Sequence, residues 1–421
     1  MTYTTMLTFV FVIFFSPFLP SAHVSSQKQS TSSQPLDSPR LAALVRELKT
    51  GNSEALQRFW EEMKGKAPLV ETIPDDNGLR LVTFLWRGGD KACGIKQIAP
   101  LPFVIRNKLL TRLESTDVWF MTVRLPSAAR FSYAFENSSG RQFGDPLNPL
   151  TRGVDSVAEL PDAPPQPWIQ PDPNVPKGTL KEEKLKSEIL KEERTVSVYT
   201  PPGYDPRGGP YRLLIVFDGE VYRSIVPVPT ILDNLVARQK ILPQVAILVD
   251  GGRSRNRDLI CSPPFADFMA KELVPWARQH YRISADPKQT TICGSSYGGL
   301  SATYCAFRYP KVFGNVLSQS GSFWYYPGYK HGDETESAPF GWLTRQFETT
   351  PKLPIRFYLE VGLFETGYPH NQLTETRSMR DVLKAKGYSV VYSEFAGGHE
   401  YLCWRGSFAD GLIALAGNRN K

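Results

Sequence analysis

The sequence predicts an α/β fold with a mainly parallel central sheet, preceded by a smaller domain of different texture. Two observations carry this expectation. From about residue 180, short apolar runs alternate with helical patterns. The runs are TVSVYT (195–200), YRLLIVFDG (211–219), QVAILVDGG (244–252), TTICGSS (290–296), NVLSQSG (315–321), IRFYLEVG (355–362) and SVVYSEF (389–395). FADFMAKELVPWARQHY (265–281) and LTETRSMRDVLKAKG (373–387) read as helices between them. Strands apolar on both faces and separated by helices form parallel sheets. The second observation is a change of period before residue 180. LRLVTFLWRG (79–88), VWFMTVRL (118–125) and RFSYAFEN (130–137) alternate and are rich in β-branched and aromatic residues, which indicates a small β-sandwich of immunoglobulin-like type.

The elements follow in order. Residues 1–26 read as a secretory signal: Leu7–Phe18 is nearly continuous apolar sequence, followed by a proline and small residues. It is short for a membrane span; an uncleaved anchor or a mis-called start is the alternative. A Ser/Gln-rich tether is expected at 27–38 and the N-terminal domain at 39–160. That domain opens with apolar residues at helical spacing (Leu41, Leu44, Val45, Leu48, then Leu56, Phe59, Trp60, Met63), broken at Gly51-Asn52. A Pro-rich linker at 161–180 is extended and suited to lying across a surface. The catalytic domain is expected at 181–421. Its first segment, KEEKLKSEILKEER (181–194), reads as a solvated mixed-charge stretch.

Composition excludes several classes. With 421 residues, 41% apolar and 22% charged, the chain can bury two cores; its net charge of +7 is dispersed among acids, so no nucleic-acid partner is expected. Five cysteines lack metal spacing and are too few for a disulfide scaffold. No integral membrane span is expected in the mature chain, and the oligomeric state is left open.

CGSSYGGL (293–300) contains G-x-S-x-G between the strand TTIC and the helical LSATYCAFRY (300–309). Strand, motif and helix in that order define a nucleophile elbow and an α/β-hydrolase fold, with Ser296 as nucleophile. A tight turn that happens to hold a serine is the alternative. The hydroxyl needs an imidazole to take its proton. Of five histidines, His23 lies in the signal or tether, and His280 precedes the elbow. His331 comes too early, though it could line the site, and His370 has no strand immediately before it. His399 follows the last strand and a Gly-Gly turn, where the base belongs; a structural histidine capping a turn is the alternative. The acid is expected after the strand ending at Gly362, at Glu365. Glu360, inside the strand, is the rival, and Asp381, mid-helix, is third. The oxyanion hole is expected from the N–H of Tyr297 and from that of Gly219 or Glu220.

CGSSYGGLSATYCAFRYPKVFGNVLSQSGSFW, VFDGEVY and GGHEYLCWRGSFADGLIAL together resemble the enterochelin (enterobactin) esterases. LRLVTFLWRG, TDVWFMTV, DPLNPL and PPQPW extend the resemblance into the first domain, so it covers roughly 55–416. The resemblance implies a serine esterase that opens the trilactone of a catecholate siderophore to release iron. Ser296, His399 and Glu365 match that family's catalytic positions. The enzyme would need no cofactor of its own, since iron(III) arrives with the substrate. The resemblance makes Arg255 in RNRDL a substrate-binding counterpart, with Asp258 in place of glutamate; a surface salt bridge is the competing reading. Trp404 and Arg405 could supply a stacking face and a cation. Arg253, Arg255 and Arg257 beside the cleft would favour an anionic ligand. Cys261 and Cys403 match family cysteines, and a bridge between them would survive export. The signal, which better-known members lack, points to the periplasm. Three other readings stay open: a feruloyl or acetyl esterase with Trp86, Trp119 and Phe120 as a sugar platform, a siderophore-binding protein without catalysis, and, less favoured, a peptidase.

Overall fold

A computed structural model describes residues 37–88, 110–137, 139–330, 341–367 and 371–417, together with the backbone of 94–96. The expected signal, nearly all of the tether, His23, His331 and His370 lie outside the described residues. The chain enters as two helices, α1 (Pro39–Lys49) and α2 (Ala55–Met63), with the break between them at the expected Gly51-Asn52. The Ser38 hydroxyl accepts the Leu41 N–H at 3.2 Å and caps α1, with proline at the first helical position.

Two antiparallel sheets follow. The first has order β1 (Leu69–Ile73), β2 (Asp76–Arg87), β5 (Val118–Pro126), β4 (Thr111–Arg112). The second has order β3 (Gly94–Lys96), β6 (Arg130–Glu136), β9 (Asp155–Glu159), β8 (Thr151–Arg152), with β7 (Gln142–Phe143) paired to β6. Val82 and Phe84 of β2, Trp119 and Met121 of β5, and Phe131, Tyr133 and Phe135 of β6 share one core. Phe364, from far along the chain, completes it.

The large sheet has eight strands: β10 (Thr179–Ser187), β11 (Glu192–Thr200), β13 (Gln244–Val249), β12 (Arg212–Phe217), β14 (Thr290–Ser295), β15 (Asn315–Gln319), β16 (Arg356–Gly362) and β17 (Ser389–Phe395), in that spatial order. β10 and β11 are antiparallel additions, and from β13 onward the strands run parallel. The period of two sorts the core. Leu213, Ile215 and Phe217 face one side with α8 (Tyr297–Arg308), α9 (Trp342–Thr349) and α10 (Gln372–Ala385). Leu214 and Val216 face the other, with α3 (Gly219–Ser224), α4 (Val228–Ala237) and α11 (Tyr401–Ala416). A short helix, α5 (Arg255–Asp258), follows β13.

One expectation is extended here and one corrected. The charged stretch 181–194 is solvated, as expected, and it is also ordered: it holds most of the edge strand β10 and the turn into β11, and the charges of β10 protect an edge that would otherwise invite pairing. The helix expected over 265–281 is three pieces, α6 (Pro263–Phe268), a π turn (Met269–Leu273) and α7 (Val274–His280). Pro275 lacks the N–H that a continuous helix needs, and a wider turn absorbs its ring. The Pro-rich segment crosses the surface of α4 and α11: Asn234 donates to the carbonyls of Trp168 and Gln170, both at 2.9 Å, and Gln166 to that of Leu402 at 2.8 Å.

Candidate active site

The turn from β14 into α8 is as tight as G-x-S-x-G requires. Ser296 sits at φ 56°, ψ −124°, a region closed to most side chains that functional sites populate when their surroundings hold it. Its surroundings do: its N–H donates to the Gln319 carbonyl and its carbonyl accepts from the Ser322 N–H, both at 3.0 Å. A Cβ at Gly294 would come within 2.6 Å of the Gly298 carbonyl carbon, so no larger residue fits there. The Ser296 hydroxyl lies 3.4 Å from that of Ser322 and makes no hydrogen bond to His399.

The structure brings His399 and Glu365 together. Nδ1 of His399 lies 2.6 Å from Oε2 of Glu365, a carboxylate 3% exposed. The other oxygen of Glu365 accepts the Gly362 N–H at 2.8 Å and the Ser320 hydroxyl at 2.6 Å. Ser320 in turn accepts the indole N–H of Trp404 at 3.1 Å, and Trp404 packs edge-on against the imidazole at 4.9 Å. The turn 319–322 is thus a hub: its backbone holds Ser296, and its Ser320 side chain holds Glu365. Glu360, the rival acid, is fully buried one layer behind. Its Oε1 accepts from Gln319 at 2.8 Å and Ser407 at 2.6 Å, not from the imidazole. Burial pushes its carboxyl up to about 7, and the bonds from Ser407 and Gln319 oppose the shift. Asp381 is exposed and bonded to Arg380, remote in role from the base.

Tyr297 opens α8, and Gly219 and Glu220 open α3. First-turn N–H groups have no acceptor within their own helix, so all three are available to an oxyanion. The two helix starts are neighbours: a Cβ on Gly298 would lie 3.4 Å from that of Phe217 and 3.6 Å from Oδ2 of Asp218. The Glu220 carboxylate is engaged separately, accepting the Gly251 N–H at 3.1 Å. Asp218, 1% exposed, binds Arg255 through both oxygens, at 2.5 Å to Nε and 2.7 Å to Nη2. Arg255 is therefore neither a loose surface bridge nor an unengaged cation; its guanidinium is clamped beside the elbow.

Four expectations do not survive the geometry. Trp404 is 2% exposed and packs against His399, so it offers no face to a ligand. Arg405 turns to the Pro-rich segment, donating to Gln166 at 2.7 Å. Cys261 and Cys403 are both buried free thiols; Cys261 packs in the core beside α6, whereas Cys403 donates to the Arg130 carbonyl at 3.3 Å. Asp258 is buried and pairs with Arg194 and Arg257. Arg257 also binds Glu192 at 2.8 Å, which leaves Arg253 as the exposed arginine of this loop with no ion-pair partner among the described residues. Trp119 is buried and Trp86 packs on Phe135 and Phe143, so these two form no open sugar platform. Ser320, Ser322 and Asp218 were missed from sequence. Only Asp218, ending an apolar strand just before Gly219, carried a usable signal.

An elbow serine, a histidine–carboxylate pair and free helix-start N–H groups on a mixed α/β sheet define a carboxylic ester hydrolase. Residues 187–415 match the family described as "Putative esterase", and residues 81–143 the family "Enterochelin esterase, N-terminal". The iron(III) enterobactin esterase of Escherichia coli K12 is 30% identical, over 85% of this chain and 96% of that protein. The iron(III) salmochelin esterase of E. coli O6:H1 is 28% identical over 90% and 98%. The structure of the enterobactin esterase from Shigella flexneri in the presence of enterobactin superposes with TM-score 0.65, at 28% identity, over 85% of this chain and 97% of that one. That of the ferric enterobactin esterase from Salmonella typhimurium gives 0.70, at 26% identity, over 85% and 98%. The chain belongs to the enterochelin (enterobactin) esterase family.

Proposed function

We propose that this chain hydrolyses the backbone esters of a catecholate siderophore, with iron(III) carried in by the substrate, through Ser296, His399 and Glu365. The observation that carries the reading is the 2.6 Å contact of His399 with Glu365 beside a serine held at an elbow, in a chain similar over most of its length to enterobactin and salmochelin esterases. Glu365 holds the imidazole with its proton on Nδ1, leaving Nε2 free to accept. When substrate enters, the Ser296 hydroxyl turns from Ser322 toward Nε2 and attacks the ester carbonyl carbon; its proton passes to His399. The carbonyl oxygen becomes an oxyanion facing the N–H of Tyr297 and of Gly219 or Glu220. The C–O bond to the leaving serine alkoxide breaks, and that oxygen takes the proton from His399. Water, deprotonated by the same nitrogen, then releases the acyl group and restores Ser296.

The same proposal places the enzyme in the periplasm, after export by residues 1–26, and treats the two antiparallel sheets before the linker as an immunoglobulin-like sandwich. Among the described residues, no helix is long and apolar enough to cross a membrane. The test is incubation of the mature protein and its Ser296→Ala variant with apo- and ferric enterobactin, with chromatographic separation of products. Stepwise linear trimer, dimer and monomer from the wild type alone is the expected result. Cleavage of simple aryl esters with the siderophore untouched would overturn the substrate assignment.

A further inference from the structure

The loop that carries His399 is held from outside the hydrolase sheet. It spans five residues between β17 and α11, and strand β6 of the N-terminal region runs alongside. The Arg130 N–H donates to the Ala396 carbonyl at 2.9 Å. Approach is so close at Gly397 that a Cβ there would meet Cys403 Sγ at 2.5 Å and the Arg130 carbonyl at 2.9 Å.

Glu400, next to the base, is the stronger tie. It occupies the N-cap of α11 yet makes no capping bond to its own helix. Both oxygens cross instead to Ser132, one accepting the N–H at 3.0 Å and the other the hydroxyl at 2.7 Å. Arg152 approaches at 3.8 Å. Glu400 is 7% exposed, and burial lifts its carboxyl above the usual range, with the Ser132 bonds opposing the lift. A buried carboxylate is costly to keep, and such groups best serve to fix one geometry among several. The acid loop is tied to the same strand. Phe364, immediately before Glu365, packs edge-on against Phe131 at 6.4 Å, and its N–H donates to the Gly397 carbonyl at 3.0 Å.

We propose that Glu400 is a positioning residue for the general base, and that strand β6, through Ser132, sets the geometry of the His399–Glu365 pair. The inference rests on His399 being the base. The N-terminal region is then part of the catalytic frame.

The test uses the full mature chain, a simple aryl ester and a fluorophosphonate that labels an activated serine. Glu400→Ala is expected to lower kcat about 100-fold, the scale of a displaced catalytic group, with KM changed by less than about twofold. Labelling of Ser296 slows in proportion. Glu400→Gln, which still accepts the Ser132 N–H and can bond its hydroxyl, recovers most of the lost rate. If Glu400→Ala does not fold, Ser132→Ala, which removes one of the two bonds, is expected to lower kcat in the same direction by about tenfold. Wild-type kcat in the variant that folds, a loss confined to KM, or a Gln variant as impaired as Ala would each overturn the proposal. Failure of the underlying reading looks different: wild type would not be labelled at Ser296, or His399→Ala would be labelled as fast as wild type.

Discussion

Replacing Glu365 by glutamine tests the assignment of the acid with the fewest changed atoms. Oε1 accepts two donors, the Gly362 N–H at 2.8 Å and the Ser320 hydroxyl at 2.6 Å, and Oε2 faces His399 Nδ1 at 2.6 Å. A glutamine can satisfy only one side. If its oxygen stays on Gly362 and Ser320, its NH2 confronts Nδ1, which must give up its proton; the proton then sits on Nε2, the atom that should receive one from Ser296. If the amide flips, its NH2 opposes the Gly362 N–H, which cannot rotate away, and a buried donor is stranded at about 1–3 kcal/mol. The wrong tautomer therefore dominates. The expected loss in kcat is about 10⁴-fold, or roughly 5 kcal/mol of transition-state stabilisation, with KM little changed. Steady-state hydrolysis of an aryl ester and of the siderophore, with thermal unfolding as a control for folding, reads the effect. A Glu365→Gln enzyme retaining more than about a tenth of wild-type kcat would refute the assignment.

Three further outcomes follow from the same geometry. Glu360 titrates near 7 in the folded protein because it is buried, whereas an unfolded glutamate titrates near 4.3. Its contribution to stability is therefore whole below about pH 4 and lost as pH rises through 7, on the order of 3 kcal/mol in all. Urea unfolding should show wild type losing about that much relative to Glu360→Gln between about pH 4 and pH 8; parallel curves would contradict it. Arg255→Ala leaves Asp218 buried beside the oxyanion helix without its bidentate partner. A destabilisation of about 2 kcal/mol is expected, below the range for a fully buried pair because Arg255 is partly exposed, with a fall in kcat; unchanged urea midpoint and kcat would show the pair to be incidental. Arg253→Glu should raise KM for the anionic ferric substrate at low salt and lose that effect at high salt, while a neutral aryl ester is unaffected.

What was legible in the sequence is what local pattern determines. The apolar runs at 212–217, 244–249, 290–295 and 315–319 have no other way to be buried than as central strands, and the elbow's glycines are needed within five residues of one another. The order of base after acid after nucleophile follows from the topology. Contacts between distant segments leave no such trace. Ser132 and Glu400 are 268 residues apart, and nothing in either neighbourhood anticipates the bond. Trp404 and Arg405 were misjudged for the same reason. A helix starts at Tyr401, and its periodicity alone does not say that Trp404 turns inward to Ser320 while Arg405 reaches Gln166. The edge strand at 179–187 left no signal because a strand beside water can be built from charges, and then its composition resembles that of an unstructured segment.

Three buried glutamates surround the site, and partner chemistry separates their roles where burial alone does not. Glu360, Glu365 and Glu400 are 0%, 3% and 7% exposed. Glu360 meets neutral donors, Gln319 and Ser407, whose bonds only partly offset the cost of burying its charge, and it is suited to stiffening the junction of β15, β16 and α11. Glu400 meets Ser132 twice and Arg152 at a distance; its bonds cross from one sheet system to another and fix where a loop lies. Glu365 alone divides its two oxygens between fixed donors and an imidazole. That division lets one carboxylate be both immobile and responsive to charge appearing on its neighbour, which is what orienting a general base demands. A glutamate bonded on both oxygens to rigid donors would be as well ordered and yet could not report to the imidazole. The oxygen turned to the imidazole, more than depth of burial, sets Glu365 apart from the other two.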